Sequence, residues 1–111
     1  MKEEQKSNRL KFNLDLGDLS VDFYFYRNKE GNELQIHSFP KEGCLKNIRE
    51  YKRQLMNFID SFGDSIKYVT TTCYADNKEQ NKWAKIWGFK FYCSLVQEDN
   101  KEHNIYFMRG I

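Results

Sequence analysis

Residues 77–89 read NKEQNKWAKIWGF, and this stretch decides how the chain is to be folded. Asp76 or Asn77 can cap a helix here, since either side chain accepts from backbone N–H groups at a helix start. Trp83 and Trp87, four apart, lie one above the other on one helical face and predict packing against a sheet. Gly88 supplies the stop that a helix needs before the chain turns back, and Phe89 opens the next strand. The reading is therefore cap, helix, stop and strand.

Outward from this stretch the pattern has period two on both sides. Ile66 to Tyr74 is β-branched and aromatic and predicts the strand that leads into the helix. Phe89, Phe91, Cys93 and Leu95 alternate as the strand that leaves it. Asp99-Asn100-Lys101 turns the chain, and Ile105 to Arg109 pairs back. Towards the N-terminus, Leu45, Ile48, Tyr51, Leu55, Phe58, Ile59 and Phe62 recur at steps of three and four. They predict an amphipathic helix of about five turns, with Gly63 at its C-terminal stop. Leu34 and Ile36 form a short strand expected to end before Pro40, which cannot donate to a ladder. Leu10 to Leu16 and Leu19 to Tyr26 alternate on either side of Gly17-Asp18 and make a hairpin. The element order is β-β-β-α-β-α-β-β. It defines an α+β fold with two helices on a mainly antiparallel mixed sheet, a single domain over residues 9–111 behind a flexible N-terminus, residues 1–8.

Composition bounds the function. The chain has 111 residues, room for one core, with 16% aromatic and 31% charged residues. Its 18 basic and 16 acidic residues leave a net charge of +2, too small a field for tight non-specific nucleic-acid binding. No apolar run reaches the length of a membrane span, and the charged start is not a signal peptide. Cys44, Cys73 and Cys93 form no CxxC pair and read as reduced, partly buried thiols, so no metal site is expected. These features place the chain in a cytoplasm, with a monomer or homodimer as its state.

The element order together with Asn77, Gly88 and Phe89 at their spacing resembles the GCN5-related N-acetyltransferases. In that family a strand splays from its neighbour just before this helix, and the wedge admits the pantetheine arm of acetyl-CoA. The resemblance assigns a general-base position to Glu33 or His37 on the third strand. It assigns a cofactor mouth to Ser38, Lys41 and Gly43, with Asn77 at the helix start. Two departures stand against catalysis. The family's phosphate cradle has a Gly-x-Gly, whereas residues 37–48 contain one glycine, and a Cβ obstructs a backbone that must touch phosphate. The family's general-acid Tyr falls on Ala84, which carries no proton to give.

Within that family the chain is similar to short acetyltransferase-like proteins of tailed phages, including an internal virion protein of podoviruses. That likeness implies a non-catalytic protein that binds a protein partner, in a virion or against a host factor, and carries no cofactor. The alternative is an active N-acetyltransferase moving an acetyl group from acetyl-CoA to an amine. Lys46, Arg49, Lys52 and Arg53 on the first helix, and Lys78, Lys82 and Lys85 on the second, read as solvated faces.

Overall fold

The computed structural model describes residues 9–110. Within them, β1 (Arg9–Asp15), β2 (Leu19–Tyr26) and β3 (Glu33–Pro40) are followed by α1 (Ile48–Asp60) and β4 (Tyr68–Tyr74). Then come α2 (Lys78–Ile86), β5 (Lys90–Val96) and β6 (Glu102–Arg109). The strands form one six-stranded sheet in the order β1-β2-β3-β4-β6-β5, with β3 and β4 parallel and every other pair antiparallel. This is the α+β fold that the periodicities predict. The flexible N-terminus expected over residues 1–8 lies outside the described residues.

Three local readings are corrected. The first helix is shorter than its apolar spacing suggests: a 3-10 turn, Cys44–Asn47, precedes it, and a second, Gly63–Ser65, follows it. The apolar steps run from Leu45 in the first turn into the helix because a 3-10 helix repeats every three residues, whereas the second turn carries no apolar side chain. Strand β4 begins at Tyr68 rather than Ile66. Strand β3 runs eight residues and includes Pro40, which lies opposite Leu19. The Lys41 N–H donates to the Asp18 carbonyl at 2.7 Å. Odd-numbered residues at this end of β3 therefore turn their backbone groups towards β2, and Pro40 forfeits no ladder bond.

Helix α2 is bounded as its residues dictate. The Asn77 side chain accepts from the Gln80 N–H at 3.0 Å. At the other end Gly88, at φ +100°, and Phe89 donate back to the Lys85 and Ala84 carbonyls. That is the paired closure of a helix through a left-handed glycine.

Both helices cover the same face of the sheet. Phe23 of β2 packs on Phe58 of α1 with ring centroids 4.5 Å apart, and Phe25 stacks on Phe62. At the C-terminal end of α2, Trp87 Nε1 donates to Ser38 Oγ at 3.0 Å, and the Cys73 thiol of β4 reaches the Gln80 carbonyl of α2. Residues opposite one another in register share a face, so Val21, Phe23, Leu34, Ile36 and Ser38 line one side with the helices. Leu19, Val21, Phe23, Leu34, Leu55, Val69 and Trp87 form the dry centre of the core. The opposite face carries Tyr24, Glu33, Gln35, His37, Thr70, Ile105 and Phe107, and no helix among the described residues covers it.

Candidate active site at the parting of two strands

Strands β3 and β4 pair only at their first residues: Glu33 with Tyr68, Leu34 with Val69 and Gln35 with Thr70. This closed end is clamped. The Asn32 carbonyl accepts from both the Lys67 and Tyr68 N–H groups, and the Asn32 side chain donates to Ser65. One residue further on, the Thr71 hydroxyl substitutes for the ladder by donating to the Ile36 carbonyl. Beyond it the strands separate, and a cleft of about 330 Å³ opens between them. Ile36, His37, Ser38, Thr72, Trp83 and Trp87 are among its lining residues.

Both margins of the cleft offer backbone groups. By the alternation that turns Lys41 towards β2, Ser38 turns its N–H and C=O into the gap. On the other margin the Ala75 N–H donates to the Glu102 carbonyl, so Thr72 likewise faces the gap. Both residues are half-buried, and an extended amide-bearing ligand can pair with their main-chain groups as an added strand does.

The residues that line the cleft carry their side chains on both faces of the sheet. His37 is a lining residue whose side chain lies on the uncovered face, with its Nε2 3.3 Å from Gln35 Oε1 and its ring edge-on to Tyr24. Burial lowers its pKa from the ordinary 6.5, and the Asp22 carboxylate counters part of that effect. His37 is thus held as the neutral imidazole at neutral pH. With Nε2–H donating to Gln35, the lone pair sits on Nδ1. Ser38 enters from the helical face. Its oxygen accepts from Trp87, which leaves its hydroxyl proton free to donate into the gap.

The remaining residues that the sequence singles out, Ala84 excepted, lie apart. Glu33 sits at the closed end, accepts from the Thr70 hydroxyl and lines a separate shallow groove on the uncovered face. Asn77 is occupied as the α2 cap, and Glu79 and Gln80 line the cleft in its place. Lys41 and Gly43 belong to the loop that leads from β3 into α1, outside the cleft lining. Ala84 lines the cleft and is 4% exposed. Among the described residues no cluster of His, Cys, Asp or Glu is placed to hold a metal ion.

The loop at the cleft mouth fits coenzyme A unevenly. Gly43 takes φ +91°, and the N–H groups of Glu42, Gly43 and Leu45 make no hydrogen bond among the described residues. These amides could receive phosphate oxygens. Against this, the Asp18 carboxylate lies 3.6 Å from where a Gly43 Cβ would stand, and it repels an anion there. The pantetheine arm and thioester suit the cleft better than the diphosphate suits the loop.

Sequence reasoning missed Thr71, Thr72 and the Ser38–Trp87 bond. The run of threonines at 70–72 is the one signal that was present: short polar side chains where a buried central strand normally carries aliphatics.

A sheet parted between two parallel strands, with two helices on one face, defines the fold of the GCN5-related N-acetyltransferases. Solved structures agree. A chimera of Vibrio cholerae spermidine N-acetyltransferase SpeG and hSSAT superposes with a TM-score of 0.64 at 12% identity, over 97% of this chain and 70% of that one. The Salmonella typhimurium acetyltransferase that modifies the N-terminal serine of ribosomal protein L7/L12 gives 0.59 at 18%, over 84% of this chain and 64% of that one. The microcin C7 self-immunity acetyltransferase MccE, solved with acetyl-CoA and AMP, gives 0.56 at 22%, over 98% of this chain and 65% of that one. The chain therefore spans roughly two thirds of the length of these proteins. No family model and no curated protein sequence matches it. Among the described residues no helix is long and apolar enough to cross a membrane.

Proposed function

We propose that the chain binds an acyl thioester of coenzyme A along the β3/β4 cleft and passes the acyl group to an amine arriving from the uncovered face. The observation that carries this reading is the parting of the strands, with the His37 side chain on one face and Ser38 on the other. The amine nitrogen attacks the thioester carbonyl carbon and yields its proton to His37 Nδ1. The Ser38 N–H faces the gap and is available to the carbonyl oxygen. As the carbon–sulfur bond breaks, the Ser38 hydroxyl hydrogen-bonds the departing thiolate. That contact partly compensates for the alanine at 84.

The competing reading keeps the phage-type resemblance: a non-catalytic chain that uses the fold to bind a protein. The Asp18 carboxylate beside the one-glycine loop and the uncovered aromatic face support it. Calorimetry with acetyl-CoA and with acetyl-pantetheine, alongside thiol release in the presence of polyamines and peptide amines, separates the two. Acyl transfer requires that both thioesters bind and that His37→Ala lowers thiol release by ~10²-fold, while Glu33→Gln keeps it. Absence of binding by either thioester rejects transfer and leaves the protein-binding role.

A further inference from the structure

The two edges of the sheet are unlike. On β1 the exposed edge carries charge: Lys11 pairs with Asp22 at 3.7 Å, and Asp15 ends the strand. Such charges deter a neighbouring strand. On β5 every residue except Cys93 is exposed, and Tyr92, Leu95 and Val96 stand at 55, 53 and 69%. Between Cys93 and Gln97 there is no charge and no proline.

The hydrogen-bond parity of β5 shows what that edge presents. The Gln97 N–H donates to the Lys101 carbonyl at 3.0 Å, so the odd-numbered residues Cys93, Leu95 and Gln97 face β6. Ser94 and Val96 therefore point their N–H and C=O groups outward, away from the sheet. The bulge between Phe91 and Cys93 bends the first part of the strand and confines any further pairing to residues 93–97. Charge then selects the partner. Lys90 stands at one end of the strand and Glu98 with Asp99 at the other. An antiparallel second copy sets positive end against negative end, whereas a parallel one sets like against like.

From this geometry we infer that β5 is the dimerisation edge, pairing antiparallel with β5 of a second copy across a two-fold axis at Leu95. In that register Ser94 of each copy exchanges both backbone hydrogen bonds with Val96 of the other, and the two Leu95 side chains meet on the uncovered face. The contact is self-complementary, so assembly closes at two. The sheet becomes continuous across both copies.

Sedimentation equilibrium over a range of concentrations tests this on the full chain. The native protein is expected at twice its monomer mass. Ser94→Pro removes an N–H that β6 does not use, and Val96→Lys places a charge at the edge. Each is expected to weaken the dimer at least ~10-fold with circular dichroism unchanged. Should Ser94→Pro fail to fold, Val96→Lys decides, because Val96 is largely solvated. A native chain that stays monomeric, a dimer indifferent to Val96→Lys, or an open-ended series of larger species overturns the assignment.

Discussion

The two halves of the sheet are built differently from the joint between them. In the β1–β2–β3 half each register runs unbroken from end to end. In the β4–β6–β5 half the strands also pair over their length, with shifts at Val69/Thr70 and Phe91/Cys93. Between the halves there are three residue pairs and then open space. Each half is a set of antiparallel neighbours that satisfy one another. The joint leaves backbone groups unspent, and there a ligand can bind as a strand would. What holds the halves together is side-chain packing under the cleft rather than the ladder, since one core cluster takes residues from both.

That contrast can be broken at its centre. Trp87 caps the C-terminal end of α2 but reaches Ser38 of β3, and it is 2% exposed. Trp87→Ala is expected to cost about 3–5 kcal/mol, read from the urea midpoint. Trp87→Phe keeps most of the buried area and loses only the bond, so about 1 kcal/mol is expected. If Trp87→Ala costs no more than an exposed substitution, side-chain packing does not hold the joint. The clamp at the closed end gives the next effect. A Cβ on Gly110 would overlap the Lys67 carbonyl oxygen and the Tyr68 ring, at a φ of +97°. Gly110→Ala is therefore expected to lose about 1–3 kcal/mol. Gly17 has nearly the same φ but nothing within 4 Å, so Gly17→Ala isolates backbone strain, about 1 kcal/mol. Equal losses at the two glycines would mean that the clamp adds nothing.

The halves were legible in the residues, whereas the joint was expected only through the family resemblance. Alternation from Leu10 to Tyr26 and from Phe89 to Leu95 encodes faces, and the turns between strands encode the hairpins. Asn77 and Gly88 mark a helix because capping is local chemistry, and the structure uses both. A parallel pairing leaves no comparable trace. Nothing in Glu33–Pro40 says where its partner strand departs, so Glu33 and His37 read as equivalent members of one stripe. The structure puts one at the closed end and the other on the cleft lining. The Trp87–Ser38 bond spans 49 residues, and no spacing rule reaches so far. Pro40 misled for a related reason: its missing N–H matters only if a strand lies on that side, and there the cleft lies.

The finest probe of the joint is the charge of His37. Its folded pKa lies below the ordinary 6.5 because burial disfavours the imidazolium, with Asp22 opposing. Above the unfolded value both states are neutral and His37 exerts no pH-dependent force. As pH falls through that value the unfolded chain takes up the proton first, so stability drops, and the loss levels off only below the folded pKa. The native protein should thus lose stability between neutral and mildly acid pH, and His37→Gln should flatten that part of the curve. The proposed base should follow the same titration: thiol release by an amine kept largely unprotonated should persist to lower pH than an ordinary histidine allows. A stability curve of identical shape in the native and His37→Gln proteins would place the imidazole in solvent, and the cleft would then lack the neutral base that acyl transfer requires.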